Sequence, residues 1–256
     1  MLVVAAAEKG GEGRGDMTHY LINLDRASDR LAFQRAQFDR LGLSFERVPA
    51  CSDDAAAVGR FRWWCAMLRP VVRGEIGCAL SHVKALRLML ARREDCAAVF
   101  EDDVRLSARA GEALAIAEEA CRRDPRLVVL LGDHRRTKCG EPLVSDADDL
   151  TLADESWDFC SEGYVIGREA AARIAKVQSP VRRVWDSWGA YRKKGWIRLM
   201  RVVPPVCGQA VDECDSSLGS RYVAEDHGWA ERIWWKLRRV VGVTLDGLMD
   251  GGRFGW

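Results

Sequence analysis

From Met17 onward, short apolar runs alternate with segments of helical period, and this alternation restricts the chain to a few architectures. His19–Leu24 reads as a strand and Ser28 to Leu41 as a helix, with Leu31, Phe38 and Leu41 on one face and Gly42 as its stop. Phe45 to Val48 is a second strand. A glycine and acid turn, Gly74-Glu75-Ile76-Gly77, leads into a helix reaching Arg93 whose buried stripe is Leu80, Val83, Leu86 and Leu90. The strand Ala97–Phe100, a helix from Ala108 to Arg122 and the strand Leu127–Leu131 follow. Residues 134–155, rich in charge and poor in pattern, read as a long loop serving as a lid or acceptor-side element. Tyr164–Gly167 is a further strand, Arg168–Val177 a helix, Trp185–Lys194 a helix and Ile197–Val203 a strand, with Pro204-Pro205 ending the regular pattern. Repeated β-α-β order predicts an α/β fold, a mostly parallel sheet with helices on both faces.

The strand at Ala97–Phe100 empties into three consecutive carboxylates, Glu101, Asp102 and Asp103. Strand ends are where α/β sheets bind ligands, and oxygen ligands on a short acidic turn suit magnesium or manganese carrying phosphates. Three acids after a strand also serve as a solvated turn or a helix cap.

The 256 residues suit one catalytic domain, and a formal net charge of +1 gives no case for a nucleic-acid partner. Nine cysteines are scattered singly, with no C-x-x-C and no His/Cys cluster at zinc-like spacing, so neither a zinc module nor a disulfide framework is indicated. Their number fits a reducing cytosol, with Cys78, Cys96 and Cys121 as small core residues. Residues 1–16 read as a disordered leader, not an export signal, and no run reaches the ~20 apolar residues of a membrane span. Residues 210–256 form a tail. Within it Ile233, Leu237, Val240 and Val241 share a helical face, Arg232, Lys236 and Arg239 form a basic stripe, and Trp229, Trp234 and Trp235 flank them. Such a helix suits an anionic bilayer surface or docking onto the catalytic domain.

Several segments together resemble one family. "YLINLDRASDR" at 20–30, "GEIGCALSHVKAL" at 74–86, "VFEDDV" at 99–104, "GYVIGREAAARI" at 163–174 and "PPVCGQ" at 204–209 look like the ordered motifs of glycosyltransferase family 25. That family comprises lipooligosaccharide β-galactosyltransferases and the related collagen galactosyltransferases. The resemblance covers residues 17–209, the expected catalytic domain. It implies a GT-A type, Rossmann-like fold, a UDP-sugar donor, manganese or magnesium at the acidic motif and an inverting transfer. Asp103 would ligate the metal, Glu101 would contact the donor ribose or a metal-bound water, and Asp102 would serve either purpose or neither.

An inverting transfer needs one base for the acceptor hydroxyl. By the resemblance that base is Asp186 in "VWDSW", with Asp158 and Glu162 as fallbacks; an N-cap is the other reading of Asp186. Trp185 and Trp188 suit stacking on a pyranose, or the core. Asn23, Asp25 and Arg30 follow the first strand, where the switch-point rule puts the nucleotide; Arg26 and Arg30 also suit a solvated helix face. Glu75, Ser81 and His82, from the most specific block, would line the donor site, although a histidine in early helix turns is also an ordinary surface residue. The reading is a cytoplasmic glycosyltransferase, peripheral on the inner membrane face, moving galactose from UDP-galactose onto a glycolipid or glycan acceptor. The alternatives are an inactive family member acting as a scaffold and a metal-dependent phosphate-ester hydrolase.

Overall fold

The computed structural model describes residues 17–52, 73–132, 149–155, 161–179, 181 and 184–210. The leader at 1–16, Asp158 and the basic amphipathic segment at 229–241 lie outside these residues.

In chain order the elements are β1 (Thr18–Asn23), α1 (Ser28–Arg40), β2 (Glu46–Pro49), α2 (Arg73–Ala91), β3 (Cys96–Glu101), β4 (Val104–Leu106) and α3 (Ala110–Arg123). Then follow β5 (Leu127–Leu130), β6 (Thr151–Asp154), β7 (Gly163–Gly167), α4 (Arg168–Val177), α5 (Trp188–Lys193), β8 (Arg198–Val203) and β9 (Cys207–Gln209). Seven strands form one sheet in the order β2-β1-β3-β7-β5-β8-β6. Five run the same way, whereas β7 is antiparallel to both β3 and β5, and β6 is antiparallel to β8. The sheet is thus mostly parallel and Rossmann-like. β4 and β9 pair separately as a short antiparallel ribbon.

Helices cover both faces, which explains why the central strands are nearly continuous apolar runs. Period-two alternation divides them: Ala97, Val99, Tyr164, Ile166, Val128 and Leu130 face one core with Leu86, Met89, Ile174 and Trp188. Ala98, Phe100, Val165 and Val129 face the other, with Phe38, Leu114, Ala117 and Cys121. Gly42 stops α1 as the sequence predicts. It sits at φ 64°, Gly42 N–H donates to Asp39 O (3.1 Å) and Leu43 N–H donates to Phe38 O (2.9 Å), a closure that satisfies two terminal carbonyls. Gly167 begins α4 against Pro125, where a Cβ would lie 2.6 Å from the Pro125 carbonyl oxygen.

Several expectations need correction. Gly74-Glu75-Ile76-Gly77 is the first turn of α2, not a turn before it, because burial of Ile76, Ala79, Val83, Leu86 and Met89 outweighs the ~1 kcal/mol helix cost of a glycine. The buried stripe is accordingly rotated from the expected one, and Leu80 and Leu90 are only partly buried. Residues 151–154 of the expected loop are an edge strand. The segment after Pro204-Pro205 adds β9, which the proline pair concealed. The Trp185 helix starts three residues later, with Ser187 at its N-cap, so Asp186 does not cap it.

Candidate active site

β1 connects through α1 to β2 on one side, while β3 lies on its other side. The β1/β3 boundary is therefore a topological switch point, where the carboxyl ends of the strands leave a crevice. Asn23 ends β1 there and Glu101 ends β3, with Asp102 and Asp103 in the turn that follows.

The three acids have distinct surroundings. Asp102 is tied down: Asn23 Nδ2 donates to Oδ2 (2.7 Å) and Arg30 Nη1 to Oδ1 (3.0 Å). Asn23 is itself fixed, since Arg47 Nε donates to its Oδ1 (2.9 Å) and the same guanidinium pairs with Asp25, whose side chain is otherwise exposed. The turn backbone is held from α1. Gln34 Nε2 donates to the carbonyls of Asp102 (3.1 Å) and Val104 (2.7 Å), Gln37 Nε2 also reaches Val104 O, and Gln37 Oε1 accepts from Leu106 N–H (2.8 Å).

Asp103 is buried yet weakly held. Gln209 Nε2 donates to Oδ2 (3.2 Å), Arg30 Nη1 stands 3.9 Å from that oxygen, and Oδ1 is buried without a hydrogen-bond partner. Burial, then the neighbouring Glu101 charge, push its carboxyl up to about 7, against Gln209 and Arg30. A buried, under-satisfied carboxylate beside a second one is a fitting donor set for a hard divalent cation, which would replace the missing partner.

On the α2 flank, His82 is fully buried. Its Nε2 stands 3.4 Å from Glu101 Oε1, its Nδ1 is 3.0 Å from the Tyr164 hydroxyl, and its ring stacks on Trp185 at 4.6 Å between centroids and 7° between planes. Cys78, one helical turn earlier, completes a cluster in which one ligand atom each from Cys78, His82 and Glu101 lies within 4.8 Å of the others. The sequence reading rejected a His/Cys cluster and placed Cys78 in the core. Cys96 and Cys121 are indeed buried, but Cys78 is half-buried at this cluster. The signal was present as Cys78-x-x-x-His82, a spacing that puts both side chains on one helix face.

The remaining candidates are dispersed. Ser81 donates to Gly77 O (2.6 Å) and accepts from Cys51 N–H (2.8 Å), so it pins the chain after β2 to α2. Glu75 lies half-buried in the first turn of α2. Asp186 is half-buried, next in sequence to Trp185. Glu162 is buried beside the end of β3, where its carbonyl accepts from Glu101 N–H (3.0 Å). Trp185 and Trp188 are core residues, the second of the two roles the sequence allows them, with their faces and edges engaged with His82, Tyr164, Tyr191 and each other. Sequence reasoning missed Gln34, Gln37, Arg47 and Gln209. Gln34 and Gln37 were visible as polar residues three apart on the buried side of α1; Arg47 reaches the site only through the pairing of β2 with β1, and Gln209 only through that of β9 with β4.

Residues 17–187 match the family model described as glycosyltransferase family 25 (LPS biosynthesis protein). A glycosyltransferase 25 family member of Anopheles gambiae is 30% identical over 173 residues, covering 62% of this chain and 28% of that protein. A Drosophila melanogaster member is 26% identical over 166 residues, 60% of this chain and 27% of the relative. Procollagen galactosyltransferase 2 of Mus musculus is 25% identical over the same length, with 60% and 27% coverage. The chain spans about a quarter of the length of these relatives.

Proposed function

The chain belongs to glycosyltransferase family 25, and from that premise we propose that it transfers a hexose, galactose from UDP-galactose, to a lipooligosaccharide or other surface-glycan acceptor with inversion at the anomeric carbon. The observation that carries this is the buried Asp103 carboxyl with an unpartnered Oδ1 at the β1/β3 switch point. The relatives named as procollagen galactosyltransferases support galactose as the sugar.

In this reading Asp103 and Glu101 hold a divalent cation, manganese or magnesium, and Asp102 keeps the turn in place through Arg30 and Asn23. Held by these carboxylates, such an ion would supply Lewis-acid stabilisation of charge on the leaving nucleoside diphosphate. Arg30, held between Asp102 and Asp103, adds positive charge near the phosphates, and Asn23, Asp25, Glu75, Ser81 and His82 border the donor. Asp186 accepts the proton of the acceptor hydroxyl as its oxygen bonds to C1 and the C1–phosphate bond breaks on the opposite face. Residues 17–209 form the catalytic unit, and the tryptophan-rich basic segment near 229–241 brings it to an anionic inner-membrane surface. Among the described residues no helix is long and apolar enough to cross a membrane.

Calorimetric titration with UDP, with and without manganese, tests the donor site. Manganese-dependent binding that disappears in Asp103→Ala is the expected result. Absence of binding in every condition favours an inactive scaffold, and sugar or phosphate release without an acceptor favours a hydrolase.

A further inference from the structure

We propose that Cys78, His82 and Glu101 form a second metal site, selective for zinc and similar thiophilic ions, separate from the oxygen site at Asp103. Cys78 and His82 stand one turn apart on α2, and Glu101 meets them from the end of β3. His82 is fully buried, and its Nε2 makes no hydrogen bond while facing Glu101 Oε1 at 3.4 Å. A buried ring nitrogen left unsatisfied beside a carboxylate and a sulfur is a ligand awaiting an ion.

The surroundings fit a metal-bound histidine. Nδ1 lies 3.0 Å from the Tyr164 hydroxyl, which would accept its proton once Nε2 binds an ion, and the stacked Trp185 fixes the ring plane. His82 Nε2 and Glu101 Oε1, 3.4 Å apart, already match the ~3.5 Å between ligands of a tetrahedral zinc ion, and with all three ligand atoms within 4.8 Å of one another, side-chain shifts of about 1 Å suffice to complete the set. Cys78 and Glu101 are both partly exposed, which leaves an approach for the ion and a fourth position for water. Binding releases the Cys78 proton, since the thiolate is the ligand.

Thiolate and imidazole favour zinc over manganese or magnesium, whereas Asp103 offers only oxygen. The two sites therefore sort ions by chemistry while drawing on one shared carboxylate, Glu101. A thiophilic ion on α2 and a donor at the acidic turn compete for it.

Cobalt(II) titration of the full chain tests the site without UDP or any transfer assay, so failure here leaves the transferase reading standing. One equivalent is expected to give thiolate-to-cobalt charge transfer and the visible bands of a four-coordinate ion, removed by zinc but not by manganese. Cys78→Ser is expected to lose the charge-transfer band with its circular dichroism unchanged, and Tyr164→Phe to weaken zinc binding by about 10-fold. No band, or the same band in folded Cys78→Ser, overturns the proposal. If Cys78→Ser does not fold, maleimide labelling of the unaltered chain decides: zinc slowing alkylation of Cys78 supports the site, and equal rates with and without zinc overturn it.

Discussion

Replacing Asp103 by asparagine removes a charge that the fold holds at a cost. The folded carboxyl titrates at about 7, raised by burial and by Glu101, whereas in the unfolded chain it titrates near the ordinary ~3.9. With the folded value the higher, its contribution to stability is fully present below about pH 4 and is lost as the pH rises through about 7. Between pH 5 and pH 8 the linkage amounts to about 2–3 kcal/mol. Asparagine stays neutral throughout and can keep the Gln209 contact. The expected outcome is that Asp103→Asn gains on the unaltered protein by that amount between pH 5 and pH 8, in urea unfolding with chelator present. Manganese at pH 8 should stabilise the unaltered protein and leave the variant unchanged. A stability difference that is flat with pH, or one that moves against the variant as pH rises, refutes the reasoning.

Three further outcomes are expected. Asp186→Asn should lower kcat by about 10²–10⁴-fold while calorimetric UDP binding is retained, as loss of a base does. Gln37→Leu strips partners from Leu106 N–H and weakens the hold on Val104 O, and should cost about 1–3 kcal/mol in denaturant unfolding. Gly167→Ala drives a methyl into the Pro125 carbonyl at 2.6 Å, a backbone atom that cannot rotate away, and should lower stability by about 1–3 kcal/mol, visible as a reduced Tm.

The parts legible in the sequence were those governed by local periodicity. The strand into Glu101-Asp102-Asp103, the helix stopped by Gly42 and the helix after Gly167 all lie where the pattern put them. Strand direction was not legible: Gly163–Gly167 has the same apolar run whether parallel or antiparallel, because both faces are buried either way. Burial of His82 was hidden for a related reason. An imidazole on an apolar face needs tertiary partners, and Tyr164, Trp185 and Glu101 come from distant segments. The functional difference between Asp102 and Asp103 was likewise invisible, since adjacent identical side chains diverge only once α1 and β9 supply Arg30 and Gln209.

The antiparallel β7 has a bearing on biogenesis. It is the seam of the sheet, bonded to β3 on one side and β5 on the other, yet the ribosome delivers it after both. Until Gly167 emerges, the apolar runs of β3 and β5 present unpaired edges, and Phe100 has no cover from that quarter. Nascent chains stalled between Leu130 and Gly163 are therefore the forms most exposed to edge-to-edge association and to chaperone capture. Completion of those five residues joins β5 to the β2-β1-β3 half of the sheet, and β8, synthesised last of the interior strands, then pairs with β5 and brings in β6.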